Sequence, residues 1–166
     1  MKKIGCLMTV FTLVLIYICG CANNERLTKV DPPQPFSGEA TIHHSWQGDY
    51  PLDQLHRLPE DLRQQSVGFI VDAETFKAVW NAFEPDETVP DIDFKTNLVL
   101  FARNTQFYNR IRIGKVNVTN GVAEVLAMET MSAMPIEDRV AMSLALVPRK
   151  GIESIQMSEG LLPVRQ

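Results

Sequence analysis

Three methionines spaced three residues apart are the first candidates for chemistry in this sequence. Met128, Met131 and Met134 carry thioether sulfurs, which bind soft ions such as Cu(I), and Met142 follows nearby. Methionine also fills gaps in cores and adapts to partner surfaces. Packing is the interpretation that we prefer for this segment, and a soft-metal site is the alternative.

A second set of candidate ligands is the acidic loop over residues 84–93. Asp86, Asp91 and Asp93 could surround a hard cation, because Ca²⁺ takes six to eight oxygens from flexible loops. Their spacing matches no calcium-loop template. We therefore expect a solvated connection between a helix and a strand.

The histidines and serines give no compact catalytic motif. Neighbouring strand positions direct His43 and His44 to opposite faces, so we expect His43 to be exposed and His44 to be hydrogen-bonded at the core. His56 stands apart, and no Gly-x-Ser-x-Gly turn occurs. An enzyme would need residues scattered in sequence, with Arg110, Arg112 and nearby carboxylates as candidates.

Two aromatic residues are candidates for contact with a partner. Phe107 and Tyr108 lie in a predicted loop before the strand that begins at Arg110. Aromatic and arginine side chains dominate binding energy when a rigid scaffold presents them. We therefore predict an interaction surface at these three residues, with folding back over the core as the alternative.

The first residues have the layout of a secretory signal. Lys2 and Lys3 precede an apolar run over residues 4–18, and Gly20 and Cys21 follow it. The run is shorter than the roughly 20 apolar residues that cross a membrane. We therefore expect residues 1–20 to be a cleaved signal peptide.

The segment Ile18-Cys19-Gly20-Cys21 resembles the lipobox of bacterial lipoproteins. The resemblance implies cleavage between Gly20 and Cys21, with a diacylglycerol thioether and an N-acyl chain on Cys21. Several acyl chains hold a protein on a membrane more firmly than one. Ala22, in place of the Asp associated with inner-membrane retention, implies the periplasmic face of the outer membrane in a Gram-negative cell, and in any case an extracytoplasmic location.

This processing would leave no free thiol, because Cys6 and Cys19 leave with the signal and Cys21 takes lipid. Disulfides, thiolate nucleophiles and cysteine-ligated metals are then excluded, and we expect no cofactor beyond the acyl chains.

The mature chain divides into a tether and a domain. Residues 21–38 are predicted to be the lipidated N-terminus and a Pro-rich tether, and residues 39–166 a single domain. Loss of Lys2 and Lys3, with no acidic residue in the signal, changes the formal net charge from -4 to -6. The acidic domain has no basic patch to recruit nucleic acid.

One helix is predicted over residues 73–83. Asp72 is a good N-cap, and large apolar residues recur at i, i+3, i+4 and i+7, namely Phe76, Val79, Trp80 and Phe83. Trp80 should therefore be in the core.

Short strands surround this helix in the prediction. We expect a half-buried first strand over residues 40–46, then a loop over 47–57 and one helical turn within 59–65. The Asn120-Gly121 pair predicts a hairpin, Gly114 and Lys115 a bulge, and the other strands are predicted over residues 67–71, 98–102, 110–118, 122–128, 140–147 and 152–157. The fold class is thus α+β, a single small domain whose antiparallel-rich sheet of about six or seven strands packs on one main helix.

The order of these elements is similar to the C-terminal domain of PrcB-type protease-complex subunits, over residues 67–157. The features that carry the resemblance are Phe76 and Trp80 on the helix, the turn over residues 89–94, the strand over 98–102 and the closing strand pair. That family's Gly-Gly-Tyr segment is replaced here by Gln106-Phe107-Tyr108-Asn109. The resemblance implies a non-catalytic partner or stabiliser of another exported protein.

The leading hypothesis from the sequence is a membrane-anchored cell-envelope lipoprotein, with a non-catalytic domain that binds or stabilises an envelope protein. The alternative is a periplasmic lipoprotein that binds a metal or a small ligand through the methionine segment or the acidic loop.

Overall fold

Nine strands and one α-helix make up the part of the chain that the computed structural model describes, residues 36–130 and 134–164. In chain order they are β1 (Gly38–Glu39), β2 (His44–Pro51), β3 (Val67–Ile70), α1 (Ala73–Phe83), β4 (Asn97–Arg103), β5 (Ile111–Thr119), β6 (Val122–Glu129), β7 (Arg139–Pro148), β8 (Ser154–Met157) and β9 (Gly160–Pro163). The predicted signal, its cleavage site, the lipidation site Cys21, most of the tether and Met131 lie outside the described residues.

The strands form two sheets, with orders β1-β5-β6-β8-β9 and β2-β7-β4-β3. Every pairing is antiparallel except β6 with β8, which is parallel. The broad prediction of an α+β domain with antiparallel-rich sheet is confirmed. The prediction of one sheet with six or seven strands is wrong, because the strands divide between two sheets that pack together, chiefly through β5 and β7.

The central strands explain this division. Strand β4 is buried from Leu98 to Arg103, and β7 from Val140 to Ala145. Strands with no exposed face need cover on both sides. The other sheet covers one face of β4 and β7, and α1 with its neighbouring aromatic residues packs on their sheet beside β2.

The helix begins and ends where the sequence predicts. The Asp72 carboxylate accepts a hydrogen bond from the Thr75 backbone N–H at 2.7 Å, which caps the first turn. The predicted apolar face is buried, and Trp80 lies edge-on to Trp46 of β2 at 5.3 Å between ring centroids. These aromatic contacts fix α1 against β2.

Strand β2 differs from the prediction of a strand over residues 40–46 followed by a loop from Gln47, because it begins only at His44. The strand also continues to Pro51, in register with β7 along its whole length. A Cβ atom at Gly48 would lie 3.2 Å from the Phe83 ring. Glycine at this position therefore leaves room for α1 to pack on β2, and it does not interrupt the strand. After β2, a 3₁₀ helix that was not predicted spans Leu52–Arg57, and the predicted turn is present at Glu60–Leu62.

The hairpin of β5 and β6 is confirmed. Asn120 and Gly121 both have positive φ, 51° and 81°, as a two-residue turn between twisted strands requires. The predicted bulge is also present, because the register shifts between Ile113 and Lys115.

Candidate functional site

The loop over residues 104–110, between β4 and β5, is held in one shape by Asn104. Its side-chain oxygen accepts hydrogen bonds from the backbone N–H groups of Gln106 and Phe107, both at 2.8 Å. Its amide nitrogen donates to Glu129 at the end of β6 at 2.6 Å. One buried side chain therefore fixes the turn and ties it to the neighbouring sheet.

The same loop pairs with the segment that precedes β7. Phe107 and Pro135 form an antiparallel bridge, and the Tyr108 N–H donates to the Met134 carbonyl at 2.8 Å. The Phe107 side chain stays 43% exposed despite this support. An aromatic ring is thus presented to solvent on a backbone that is already ordered.

Three side chains link the loop to β2 and β7. The Tyr108 hydroxyl donates to Asp49 Oδ1 at 2.5 Å, and Arg139 approaches Asp49 Oδ2 at 3.4 Å. Arg139 also approaches Asp138 at 3.2 Å. The hydrogen bond to Asp49 raises the pKa of the Tyr108 phenol above its ordinary value, because that bond needs the phenol proton.

Two clefts flank Tyr108. One, of about 480 Å³, is lined by Asp49, Glu84, Tyr108 and Arg110 together with part of β2. The other, of about 490 Å³, is lined by Tyr108 and the segment from Met134 to Arg139. We call Phe107, Tyr108, Asp49, Arg139 and Arg110 the Tyr108 rim.

The rim contains all three predicted contact residues. Phe107 and Arg110 are exposed and Tyr108 is half-buried. Asp49 and Arg139 were missed, because they reach Tyr108 only through the register of β2 with β7, which pairs Asp49 with Ala141 and Pro51 with Arg139. No local pattern in the sequence marks that pairing.

The methionines that the structure describes differ in exposure. Met128 and Met134 are 60% and 52% exposed, whereas Met142 is completely buried in β7. Met142 is the methionine that the sequence offers as a further ligand, and its side chain is instead packed in the core. Met131 lies outside the described residues.

The acidic loop has a structural role at Asp93. Its carboxylate accepts hydrogen bonds from the Lys95 backbone N–H at 3.0 Å and the Thr96 hydroxyl at 2.8 Å. The Thr96 hydrogen bond lowers the pKa of Asp93. Asp86 and Asp91 are exposed, and within residues 36–130 and 134–164 no three His, Cys, Asp or Glu side chains are grouped for a metal ion.

The prediction for the two neighbouring histidines is correct for His43 and wrong for His44. His43 is exposed, as expected, but His44 is also exposed, and its ring packs against Trp46 in a tilted arrangement with 4.5 Å between ring centroids. The expectation of a core hydrogen bond for His44 is wrong, because β2 begins at this residue near the edge of its sheet. His56 is exposed and hydrogen-bonds through Nδ1 to the Asp53 carbonyl. Arg112 is exposed on β5, opposite Met128.

A larger groove, of about 1190 Å³, lies between the start of α1 and the connection from β7 to β8. Its charged residues are of both signs, with Lys95 and Lys150 beside Asp72, Asp93 and Glu153. It contains none of the predicted contact residues.

Comparison of the chain with protein-family models, curated proteins and solved structures finds no match. Among the residues that the structure describes, no helix has both the length and the apolar character needed to cross a membrane.

Proposed function

We propose that this chain is a lipid-anchored protein of the cell envelope whose domain binds another envelope protein and has no catalytic centre of its own. The anchor is supported by the lipobox-like segment Ile18–Cys21, with acyl chains on Cys21. The binding role is supported by the Tyr108 rim.

The observation that carries the binding role is the exposure of Phe107 on a hydrogen-bonded loop. A flexible loop loses conformational freedom when it binds, and that loss weakens the complex. Here the Asn104, Met134 and Asp49 contacts have already ordered the backbone on both sides of the ring. A preordered aromatic side chain is a typical source of binding energy.

The residues around Phe107 are of the kind that surround the apolar centre of a protein interface. Arg110, Asp138 and Arg139 are exposed charged residues that line the two clefts beside Tyr108, the residue that follows Phe107 in the chain. Protein interfaces commonly have an apolar centre and a polar rim. We infer that a partner inserts side chains into the clefts while it covers Phe107.

The similarity to PrcB-type domains supports the same role. It implies a non-catalytic partner of an exported protein. Gln106-Phe107-Tyr108-Asn109 replaces that family's Gly-Gly-Tyr segment, so the resemblance supports the kind of role and not the particular surface at Phe107.

The test compares two exposed apolar residues in the full-length protein, cross-linked in its own envelope. We expect Phe107→Ala to weaken recovery of one dominant partner by about tenfold or more, the effect of losing a hot-spot side chain. Leu161→Ala is the matched control, because Leu161 is 56% exposed on β9. Equal recovery with both variants, or recovery of abundant porins alone, would refute the role of the rim.

A second candidate function is binding of a soft ion by the exposed methionines. The exposure of the Met128 and Met134 side chains, 60% and 52%, favours it, since thioether sulfurs bind soft ions. Cu(I) should then raise the unfolding temperature of the protein by mass action. The shift should vanish in the double variant Met128→Leu/Met134→Leu. If Cu(I) causes no shift in the wild-type protein, this function is discarded.

A further inference from the structure

Strand β2 lies at the edge of its sheet and has a cleft beside it. It ends the order β2-β7-β4-β3, so β7 is the strand that pairs with it. The cleft of about 480 Å³ next to Tyr108 is lined by Gln47, Gly48 and Asp49 of this strand. Part of the β2 edge therefore borders open space.

The backbone groups at this edge follow from the pairing of β2 with β7. The Leu52 N–H donates to the Asp138 carbonyl at 2.9 Å, and the register is continuous back along β2. Hydrogen-bonded and non-hydrogen-bonded pairs alternate in an antiparallel ladder, so Gly48 directs its N–H and C=O to β7, whereas Gln47 and Asp49 direct theirs outward. In the described part of the chain, no backbone hydrogen bond to another element uses Gln47 or Asp49. These outward groups can pair with an added strand.

On the side of the edge that faces α1, Gly48 leaves a position without a side chain. A Cβ atom there would lie 3.2 Å from the Phe83 ring and 3.3 Å from Glu84 Oε1. Glu84 directly follows the last residue of α1, and the carbonyl end of a helix favours a cation. A basic side chain opposite Gly48 would therefore meet both a carboxylate and the negative end of the helix dipole.

The opposite face of the edge presents a cation. Side chains alternate along a strand, so Asp49 points away from α1, and its carboxylate accepts a hydrogen bond from the Tyr108 hydroxyl at 2.5 Å. Arg110 lines the cleft beside Tyr108 and is exposed. The charge of Asp49 is offset by Arg139 at 3.4 Å. Glu84 and Arg110 form no ion pair with the residues that the structure describes, so the cleft has an unpaired charge of each sign, one on each face of β2.

We propose that the envelope partner adds an extended segment to the β2 edge beside this cleft, with a lysine or arginine opposite Gly48 and an aspartate or glutamate opposite Gln47. Neighbouring side chains of a strand point to opposite faces, so an adjacent basic and acidic residue reach Glu84 and Arg110 respectively. An acidic residue opposite Gln47 also avoids direct opposition to Asp49. The inference rests on the proposed function and names the segment that the partner contributes.

The composition of β2 argues against a second copy of the chain as the occupant. The strand, His44–Pro51, contains no lysine or arginine. Two β2 edges paired with each other would therefore bring no permanent positive charge to Glu84. A foreign segment with neighbouring charges of opposite sign complements both faces of the edge.

The test uses synthetic eight-residue peptides of threonine and valine as probes for the full-length protein in detergent micelles. One peptide has a central Lys-Asp pair, the second has Asp-Lys, and the third has Ala-Ala. Fluorescence anisotropy measures each dissociation constant. We expect one of the two charged orders to bind about tenfold more tightly than the Ala-Ala peptide, because charge-assisted contacts are stronger than neutral ones.

A double charge reversal tests which groups read the order. Glu84→Lys with Arg110→Glu exchanges the signs on the two faces of the edge, so the preference should switch to the other charged peptide. The Ala-Ala peptide is the matched control and should bind the wild-type protein and the double variant equally. An unchanged preference would contradict the assignment of the two faces.

A proline tests the backbone pairing. Gln47→Pro removes an N–H that faces outward, and edge strands tolerate proline at such positions. It should weaken the preferred peptide about tenfold, whereas Gln47→Ala keeps the N–H and should bind like the wild-type protein. The unfolding temperature checks that each variant is folded. Peptides N-methylated at alternate residues provide the same test on the wild-type protein if Gln47→Pro does not fold.

The outcomes are distinct. Equal binding of all three peptides, or peptide binding that neither Gln47→Pro nor N-methylation weakens, would overturn the proposal. A wild-type dimer that Gln47→Pro converts to a monomer in sedimentation would assign the edge to a second copy and would also overturn it. Phe107→Ala should leave peptide binding unchanged, since Phe107 does not line this cleft. Failure of strand addition and failure of the Phe107 contact are therefore separately visible.

Discussion

Alkaline unfolding tests how the end of β2 is held in the core. Tyr50 is completely buried, and its hydroxyl donates to the Gln54 carbonyl at 3.0 Å. Burial raises the pKa of this phenol to about 12, because the low-dielectric core disfavours the phenolate. The folded protein therefore prefers the protonated phenol more strongly than the unfolded chain does.

The sign and size of the effect follow from linkage. The ordinary pKa of tyrosine is 10.0, so the folded-state value is the higher one. The stabilisation from the neutral phenol is complete below pH 10 and is lost as the pH rises from about 10 to about 12. A difference of about two pKa units corresponds to roughly 3 kcal/mol of unfolding free energy.

The assay is denaturant unfolding of wild type and Tyr50→Phe between about pH 8 and pH 11.5. Near pH 8 the variant should be about 1 kcal/mol less stable, since it lacks the hydrogen bond to Gln54. Above pH 10 its stability should fall much less steeply, because phenylalanine has no proton to lose. Tyr108→Phe is the comparison variant: the pKa of Tyr108 is raised by the Asp49 hydrogen bond, so this variant should lose part of the wild-type slope, but less than Tyr50→Phe because Tyr108 is only half-buried.

One result would refute this reasoning. If Tyr50→Phe lost stability with pH as steeply as wild type, the buried phenol would not be the group that controls alkaline unfolding.

Three further predictions concern the anchor and the core. Cys21→Ala should abolish palmitate labelling and leave the uncut precursor, and equal labelling of both forms would contradict the lipoprotein assignment. A Cβ at Gly68 would lie 2.4 Å from the Phe101 ring, so Gly68→Ala should lower the unfolding free energy by roughly 1–3 kcal/mol, measured by denaturant unfolding. The double variant Gly68→Ala/Phe101→Leu should lose less stability than the two single variants together, because the smaller side chain relieves the clash. Strictly additive losses would argue against the clash. Arg103 donates to the Gln65 carbonyl at 2.9 Å and to the Arg63 carbonyl, so Arg103→Met should lower thermal stability by about 2 kcal/mol through unpaired carbonyls, and an unchanged melting temperature would contradict this.

The agreement between sequence and structure is closest where the signal is local. The helix over residues 73–83, its Asp72 cap and the Asn120-Gly121 hairpin depend on residues a few positions apart. Such patterns follow from backbone geometry and neighbouring side chains. The continuous apolar run of β4 was also correctly assigned to a central strand.

The errors occur where a contact with a residue far along the chain gives a residue a structural role different from the one that its type suggests. Gly48 predicts a loop by its type, but in the fold it makes room for Phe83, thirty-five positions further along the sequence. The same holds for the sheet count, because periodicity shows that a strand is covered on both faces and does not show whether a helix or another sheet covers it.

The sequence by itself determined the signal pattern that predicts the lipid anchor, the broad α+β class and the choice of Phe107, Tyr108 and Arg110 as contact candidates. Only the tertiary structure decided that Asp49 and Arg139 join Tyr108 and that the strands divide between two sheets. The physical reason is that strand register and sheet order join residues far apart in the chain. Those pairings depend on the packing of the whole core, and no short stretch of sequence encodes them.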